Sequence, residues 1–382
     1  MNIIFFFKPI VDMLYQLQIL DILLTFLCII YFFKKPISHL YDIDICVIVL
    51  GILFFFAFLR NITFGSFSVL LKIESGFLLY FLGRKYYSSQ DTILNALKKS
   101  FFLILLISVF SYISGTGFQQ WGAYNTFTGY YYFKTDLAAA LVQGFIVFSF
   151  YNTLIIKKYF LLSICVLFVF LSNARMYYFI VAIIIFFLFL YHRDIKTGKR
   201  IRINMMLFIS CTLAIIALLY LLNYLGKTLL GDQYLLFEFE NLSDLTNESN
   251  TQGRSVIWLY IYEYFAKQDF FTRFVGIDLI SDSLASPIGH NSHNAYLKIL
   301  FSIGYLGAIV YLLFMGFIIK YLNRTKNIKL FYITCCFLSI YFLSGISYIT
   351  IESTQLTWLP MFFIGSCVSS VKKKTYVNNQ NK

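Results

Sequence analysis

Two arginines and a histidine of this chain lie in short polar stretches, each directly before an apolar segment. Arg175 follows a short turn, Arg254 follows the polar run 247–253, and His293 lies in the run 289–294. Guanidinium groups stay charged and bind phosphate through paired hydrogen bonds. A histidine beside such cations stays largely unprotonated at neutral pH, which a general base for a hydroxyl requires. Together, the three residues would suit a site that binds a diphosphate and activates a hydroxyl group.

Each of these residues also has a plainer interpretation. Arg175 could reach lipid phosphate at the membrane surface, and Arg254 could anchor a helix that lies in the interface. His293 could cap a helix or form a structural hydrogen bond. Glu352 and Asp136 are alternative candidates for the base.

The surrounding residues supply further candidates for contacts with a substrate. Asn291 and Asn294 could orient sugar hydroxyls or the imidazole, whereas Arg273 and His290 are assigned on position alone. Trp258 lies in a tyrosine-rich apolar stretch that is typical of a helix at the level of the lipid headgroups. The predicted substrate-binding residues are Trp258, Arg273, His290, Asn291 and Asn294.

The two histidines could also be metal ligands. His290 and His293 are three residues apart, a spacing that two metal ligands can have. The nearest carboxylates before them, Asp278 and Asp282, are eight or more residues from His290. Without a close third ligand, the sequence predicts no metal site and no cofactor.

The elements that must position these residues are membrane spans. Hydrophobic residues make up 59% of the 382 residues, charged residues 13%, and the mean hydropathy is +0.75. Apolar runs of about 20 residues, long enough to cross a bilayer as a helix, recur along the chain, and alternating amphipathic strands are absent. The sequence therefore predicts an all-α polytopic membrane protein with about eleven (10–12) transmembrane helices. The predicted spans are 16–33, 43–60, 62–82, 100–115, 135–153, 159–173, 175–191, 203–224, 295–321, 330–349 and 354–371, and residues 1–15 are predicted to form an interfacial or half-spanning segment.

The basic residues give these spans an orientation. Alternate loops hold 21 of the 31 lysines and arginines, and by the positive-inside rule those loops are cytoplasmic. The aromatic loop 115–134, the turn before Arg175 and the long insert 225–294 are then extracytoplasmic. The chain divides into N-terminal helices (1–224), the extracytoplasmic loop with short interfacial helices and the candidate site (225–294), and C-terminal helices with a basic tail (295–382). Nucleic acid is not expected as a partner, because the basic residues do not share one soluble face.

Three short motifs of this chain resemble motifs of one known family. Ser292-His293-Asn294-Ala295-Tyr296-Leu297, with Gly304-Tyr305-Leu306-Gly307, is similar to the HN-x-(F/Y)-L…G-x-x-G segment of the O-antigen ligase/polymerase superfamily. Its G-R-x-x-x-W segment is similar to Gly253-Arg254 with Trp258, and its arginine-containing turn before a span is similar to Leu171-Ser172-Asn173-Ala174-Arg175. The motifs occur in the family's order and on the predicted external side. The chain lacks the R-x10-G pattern, starting at Arg175 or Arg254, that some polymerases carry in their outer loops.

That resemblance implies a glycosyltransferase of the GT-C type at the outer face of the bacterial cytoplasmic (inner) membrane. Such enzymes join oligosaccharides carried on undecaprenyl diphosphate, and no metal ion is required. Arg175 and Arg254 would hold the donor diphosphate, and His293 would orient or deprotonate the acceptor hydroxyl. We expect a polymerase of O-antigen, capsular or exopolysaccharide repeat units that takes lipid-linked oligosaccharide as donor and acceptor. Membrane lipid, a chain-length regulator and a flippase are its expected partners.

Two other functions remain open at the level of sequence. A ligase of the same superfamily would move finished glycan onto lipid A-core or protein. A flippase or transporter of lipid-linked oligosaccharide would instead place charges inside the membrane along a path and would have broken helices in repeated halves. The clustering of charges in one external loop favours surface chemistry over transport.

Overall fold

The chain is a bundle of α-helices with one short β-hairpin. The structure, a computed structural model, describes residues 1–14, 18–37, 39–121, 124–151, 155–198, 254–285 and 291–372. The helices are α1 Asn2–Met13, α2 Gln18–Phe33, α3 Asp42–Leu59, α4 Phe64–Lys85, α5 Gln90–Ile113, α6 Lys134–Phe150, α7 Ile155–Leu171, α8 Arg175–Thr197, α9 Arg254–Ala266, α10 Phe270–Val275, α11 Asp282–Ala285, α12 Ala295–Arg324, α13 Ile328–Ser344 and α14 Thr354–Lys372. The strands are β1 Phe118–Trp121 and β2 Tyr124–Phe127, and 3-10 turns occupy Tyr87–Ser89 and Thr350–Glu352.

The long helices lie at the positions where spans were predicted. Helices α2 to α8 and α12 to α14 overlap all but one of the eleven apolar runs, and the remaining run, 203–224, lies outside the described residues. Among the described residues, five helical stretches are long and apolar enough to cross a membrane: Asp42–Leu59, Phe64–Lys85, Tyr87–Ile113, Arg175–Thr197 and Ala295–Arg324. The protein is therefore an all-α-helical, multi-pass membrane protein.

Helix α5 begins well before the apolar run that predicted it. The run starts at residue 100, whereas the helix starts at Gln90 and includes Lys98 and Lys99. Hydropathy detects the part of a helix that faces lipid, and it misses the turns that continue beyond the bilayer. Helix α8 likewise continues to Thr197 and ends at Gly198, whose φ of +64° is a left-handed conformation that favours glycine.

Helices α4 and α14 form the closest contact in the bundle. A side chain on Gly83 would overlap the carbonyl of Phe362, and one on Gly365 would overlap the carbonyl of Tyr80. Small residues at such contacts let two helix backbones approach, which is how helices pack inside membranes where the hydrophobic effect contributes little. Together with the other spanning helices, this pair buries one continuous apolar core.

The N-terminal helix α1 is too short to cross a membrane alone. Its 12 residues extend about 18 Å, against a hydrocarbon thickness of about 30 Å. Ile4 and Phe5 are buried in the core, and the Lys8 ammonium lies 2.7 Å from Asp21 Oδ1 and 2.8 Å from Thr354 Oγ1. These contacts attach α1 to α2 and to the start of α14.

The aromatic loop 115–134 contains a β-hairpin that the sequence did not predict. Phe118 pairs with Phe127 and Trp121 with Tyr124 in an antiparallel ladder. The Phe127 ring stacks on Phe168 of α7 with the ring centroids 5.2 Å apart. Strands of four residues are too short to give a periodic hydrophobic signal, and packing against α7 stabilises them.

Helix α12 is broken near its start, at Gly304. Its φ of 66° and ψ of −166° are not helical, and a side chain there would overlap the backbone nitrogen of Gly276. The segment that follows α10 enters this break, where the Ile277 N–H donates to the Phe301 carbonyl at 2.8 Å. Before the break, α12 packs with α9 around a small apolar cluster separate from the main core: Ile257, Ile261, Phe265 and Phe301.

The bundle has two chemically different ends. At the end that we call the basic end, the Arg84 guanidinium donates to the His39 carbonyl at 3.1 Å, and Lys320 lies 2.8 Å from Asp42. The opposite end, the site end, comprises the starts of α6, α8, α12 and α14 together with α9 to α11. Residues 345–353, between α13 and α14, also belong to the site end.

Candidate functional site

Three cations from three different helices lie close together at the site end. Lys134 and Arg175 are the first residues of α6 and α8, and Arg254 is the first described residue of α9. Burial lowers the pKa of the Lys134 ammonium, and the charges of Arg175 and Arg254 lower this pKa further. An effect of this kind requires both guanidinium groups to be near the ammonium. We call Lys134, Arg175 and Arg254 the cation cluster.

The positions of Lys134 and Arg175, at the starts of their helices, are unfavourable for helix stability. The N-terminal end of a helix carries partial positive charge from its unpaired N–H groups, so a cation there is repelled. Burial also lowers the pKa of the Arg254 guanidinium, which nevertheless stays charged because arginine titrates far above neutral pH. Positive side chains and positive helix ends therefore reinforce one another, and the cluster favours an anionic ligand.

A tight turn between α7 and α8 positions Arg175. The Ser172 N–H donates to the Phe168 carbonyl at 3.0 Å, and Asn173 adopts a left-handed backbone with φ of 50°. Asparagine tolerates this conformation better than most residues, which explains how the chain reverses within three residues. This loop therefore places Arg175 at the first residue of α8.

His293 is held in an uncommon backbone conformation. Its φ is 44°, in the left-handed region that few residues other than glycine adopt. On one side, the Ser292 N–H donates to Asp282 Oδ2 at 3.0 Å. On the other side, the Asn294 side chain caps α12 by accepting from the N–H groups of Tyr296 and Leu297, both at 3.0 Å. We call residues 291–294 the histidine segment.

Helix α9 connects the histidine segment to the cation cluster. The indole N–H of Trp258 donates to the Ser292 carbonyl at 2.8 Å, and Trp258 lies one turn after Arg254. The histidine and one arginine of the predicted site are therefore joined through a single side chain.

A second connection runs through residues 345–355. The Ala295 N–H donates to the Gly345 carbonyl at 2.8 Å, and the Asn294 amide donates to the Ile346 carbonyl at 3.2 Å. Farther along, the Gln355 amide donates at 2.9 Å to the carbonyl of Asp136, in the first turn of α6. This segment thus joins the histidine segment to the helix that begins at Lys134.

The two alternative bases also lie at the site end. The Tyr348 hydroxyl hydrogen-bonds to the Asp136 carboxylate. Glu352 Oε1 lies 3.0 Å from the Lys298 ammonium, which also forms an ion pair with Asp282 at 2.7 Å. Burial raises the pKa of the Glu352 carboxyl, against the opposing effect of Lys298.

The predicted substrate-binding residues differ in where they lie. Trp258 and Asn294 use their polar groups within the protein, the first on Ser292 and the second as the cap of α12. Arg273 lies on α10, which packs on α12, and is not among the charges that lower the pKa of Lys134. Asn291 is exposed beside His293, and His290 lies outside the described residues.

Two lysines of this site were not singled out from the sequence. Lys134 is a basic residue on the predicted external side, directly before a span, and the argument that identified Arg175 applies to it equally. Lys298 lies within the predicted span 295–321, where averaged hydropathy hides a single charge. Its partners Asp282 and Glu352 are remote in sequence, so no local pattern reveals them.

Comparisons with known proteins add nothing to this description, since no protein-family model and no curated protein matches the chain. Within the described ranges, no group of three or more His, Cys, Asp and Glu residues is arranged to hold a metal ion. The site is thus defined by its own geometry, as a cation cluster linked to a constrained histidine at one end of a multi-pass helix bundle.

Proposed function

We propose that this protein polymerises oligosaccharide repeat units carried on undecaprenyl diphosphate into O-antigen, capsular or exopolysaccharide. The observation that carries the proposal is the convergence of Lys134, Arg175 and Arg254, with Trp258 joining this cluster to the histidine segment. A diphosphate is the anion that best fits several cations, and a sugar hydroxyl is the group that a histidine would activate beside it.

In the proposed reaction, the protein stabilises the leaving group and accepts a proton from the acceptor. The bond between the anomeric carbon and the diphosphate oxygen breaks, and the cation cluster stabilises the negative charge that develops on the leaving undecaprenyl diphosphate. The acceptor hydroxyl of a second lipid-linked unit forms the new glycosidic bond, and His293 accepts its proton. Lys134 joins Arg175 and Arg254 as a third diphosphate-binding residue.

The proposal includes about eleven membrane crossings with the site end on the outer face of the bacterial cytoplasmic membrane. Charge distribution supports this orientation, because the basic residues concentrate at the other end. Helices α9 and α10 would lie in the outer interface. In support, Leu259, Phe270 and Phe271 expose most of their surface, at 57%, 71% and 70%, which suits contact with lipid.

The expected partners follow from the substrate. A flippase must deliver the lipid-linked repeat units to the outer face, and a chain-length regulator would act on the growing polymer. The lipid-linked oligosaccharide serves as both donor and acceptor, which distinguishes a polymerase from a ligase that uses lipid A-core or protein as acceptor.

The test is a deletion strain complemented with wild type, Arg175→Ala, Arg254→Ala or His293→Ala, with each protein quantified in membranes. We expect the deletion strain to make only single-repeat glycan and the three variants to restore no long polymer. Removing one group that stabilises transition-state charge costs on the order of 100- to 1000-fold in rate. Arg324→Ala is the matched control, because Arg324 is an exposed arginine at the basic end.

The same strains separate the other functions. Lipid-linked repeats that accumulate on the cytoplasmic face of the deletion strain would indicate export instead of polymerisation. Long polymer that is made but not attached to its final acceptor would indicate a ligase. Normal long chains in all three variants would refute the site.

A further inference from the structure

A buried lysine joins three separate segments beneath the histidine segment. Lys298 is only 2% exposed, and its ammonium lies 2.7 Å from Asp282 and 3.0 Å from Glu352. It also donates to the carbonyl of Leu279 at 2.5 Å. A single charged group thus ties α12 to α11, to the residues before α11, and to the 3-10 turn 350–352.

Stability alone does not explain this arrangement. Removing charges from water is costly, and apolar side chains of similar size often stabilise a protein as well as a buried ion pair does. An ion pair can, however, hold a polar backbone group at a fixed position, which an apolar side chain cannot. Here the pair fixes Asp282, and the second oxygen of Asp282 accepts the N–H of Ser292 at 3.0 Å.

The hydrogen bond between Ser292 and Asp282 lies directly before His293, whose backbone is strained. The left-handed backbone of His293 persists only if the neighbouring structure holds it there. Asn294 is fixed by the helix cap and Ser292 by Asp282 and Trp258, so the backbone on both sides of His293 is constrained. Of these contacts, the one from Asp282 depends on buried charge.

We propose that Asp282 and Lys298 are positioning residues that hold His293 in its left-handed backbone and so aim its imidazole at the acceptor hydroxyl. The inference rests on the proposed function for the role of His293. In this proposal, the ion pair between Asp282 and Lys298 positions the base and does not bind the donor diphosphate. Glu352 balances the ammonium from the opposite side.

A matched pair of triple variants tests the proposal. Asp282→Asn, Lys298→Met, Glu352→Gln removes every charge but keeps a side-chain oxygen that can accept the Ser292 N–H. Asp282→Leu, Lys298→Met, Glu352→Gln has a side chain of nearly the same shape at position 282 but lacks that oxygen and the amide N–H groups. We expect the leucine variant to lose about 100-fold in polymer formation relative to the asparagine variant, as a small misplacement of a reacting group does.

Two further measurements separate positioning from folding and from donor binding. Binding of farnesyl diphosphate to the detergent-solubilised full-length proteins should be equal in the two variants. The rate at which diethyl pyrocarbonate modifies His293, followed by mass spectrometry, should differ between them. Equal polymer formation and equal modification rates in the two variants would overturn the proposal.

The single variant Asp282→Glu decides the question if the triple variants do not reach the membrane. It keeps the charge but moves the carboxylate by one methylene group, so we expect reduced polymer formation with unchanged farnesyl diphosphate binding. Full activity of Asp282→Glu would contradict the positioning role. The proposed function fails if the wild-type protein binds no farnesyl diphosphate and the deletion strain still makes normal polymer. In that case, the modification rates of His293 in the variants still test whether Asp282 and Lys298 hold its backbone.

Discussion

The two ends of the helix bundle use charged residues in opposite ways. At the basic end, the carboxylate of Asp44 is fully buried, receives a hydrogen bond from the Arg84 guanidinium and accepts from the Tyr80 hydroxyl at 2.5 Å. Lys320 likewise lies 2.8 Å from Asp42. These cations have carboxylate partners, and they join one helix to the next.

At the site end, the carboxylates pair with a cation outside the cation cluster. Neither Lys134 nor Arg254 forms an ion pair with a carboxylate in the part of the chain that the structure describes. The carboxylates of Asp282 and Glu352 are engaged instead by the buried Lys298. Charge at the basic end therefore joins helices, whereas under the proposed function the positive charge at the site end would bind an external anion.

Breaking the buried pair at the basic end should have the largest effect on stability. Arg84→Leu leaves the Asp44 carboxylate buried without its cation, which costs about 3–5 kcal/mol in the free energy of unfolding. We expect a large drop in the melting temperature of the detergent-solubilised protein. The double variant Asp44→Asn, Arg84→Leu should recover most of this loss, because no charge is then left unpaired. A single variant that melts at the wild-type temperature would show that the pair does not hold these helices together.

A ligand experiment should show the opposite behaviour at the site end. Farnesyl diphosphate at about 100 times its dissociation constant should stabilise wild type by about 2.7 kcal/mol. Arg254→Gln removes a charge-assisted contact worth about 1.5–3 kcal/mol and should therefore weaken binding by roughly one to two orders of magnitude. Its melting temperature without ligand should stay close to that of wild type.

The control for this experiment is Arg324→Gln at the basic end, which should bind farnesyl diphosphate as wild type does. Farnesol, which lacks the diphosphate, should stabilise none of the proteins through the cation cluster. Equal weakening by both arginine variants would mean that the ligand responds to net charge alone, and the distinction between the two ends would be lost.

The sequence predicted the features that depend on local composition. Helix positions followed from apolar runs, and the separation of the two ends followed from the placement of lysine and arginine. Arg175, Arg254 and His293 stood out because charged or polar residues at the outer ends of spans need a reason. The structure places Arg175 and Arg254 near one lysine and attaches the histidine segment to α9.

Features that depend on contacts between remote residues could not be predicted. The ion pair between Lys298 and Glu352 joins the first turn of α12 to the 3-10 turn before α14, and the whole of α13 lies between them in sequence. The hydrogen bond from the Trp258 indole N–H to the Ser292 carbonyl joins residues 34 positions apart, so no local pattern reveals it. Gly304 was noticed as part of a motif, whereas its physical role, a break in α12 that admits the residues after α10, became visible only in three dimensions.

The smallest predicted effect is the change in stability when one lysine is neutralised at each end of the bundle. Lys134 is repelled by Arg175, by Arg254 and by the positive end of its own helix. Lys134→Gln should therefore stabilise the protein without ligand, by about 0.3–1 kcal/mol. Lys320→Gln, which removes a paired cation near the C-terminal end of α12, should lower the melting temperature slightly. The measurement is thermal unfolding of the two variants and wild type in the same detergent and at low salt.

The salt dependence of these shifts provides the stricter test. Salt screens repulsion and attraction alike. As salt is added, the rise in melting temperature of Lys134→Gln and the fall in melting temperature of Lys320→Gln should therefore both shrink toward zero. Farnesyl diphosphate should reverse the order of the two melting temperatures, so that wild type becomes more stable than Lys134→Gln. The reason is that the bound anion attracts the Lys134 ammonium and offsets its repulsion by the two arginines. A Lys134→Gln variant that is destabilised with and without the ligand would mean that Lys134 supports the fold of α6, and the cation cluster would then consist of the two arginines alone.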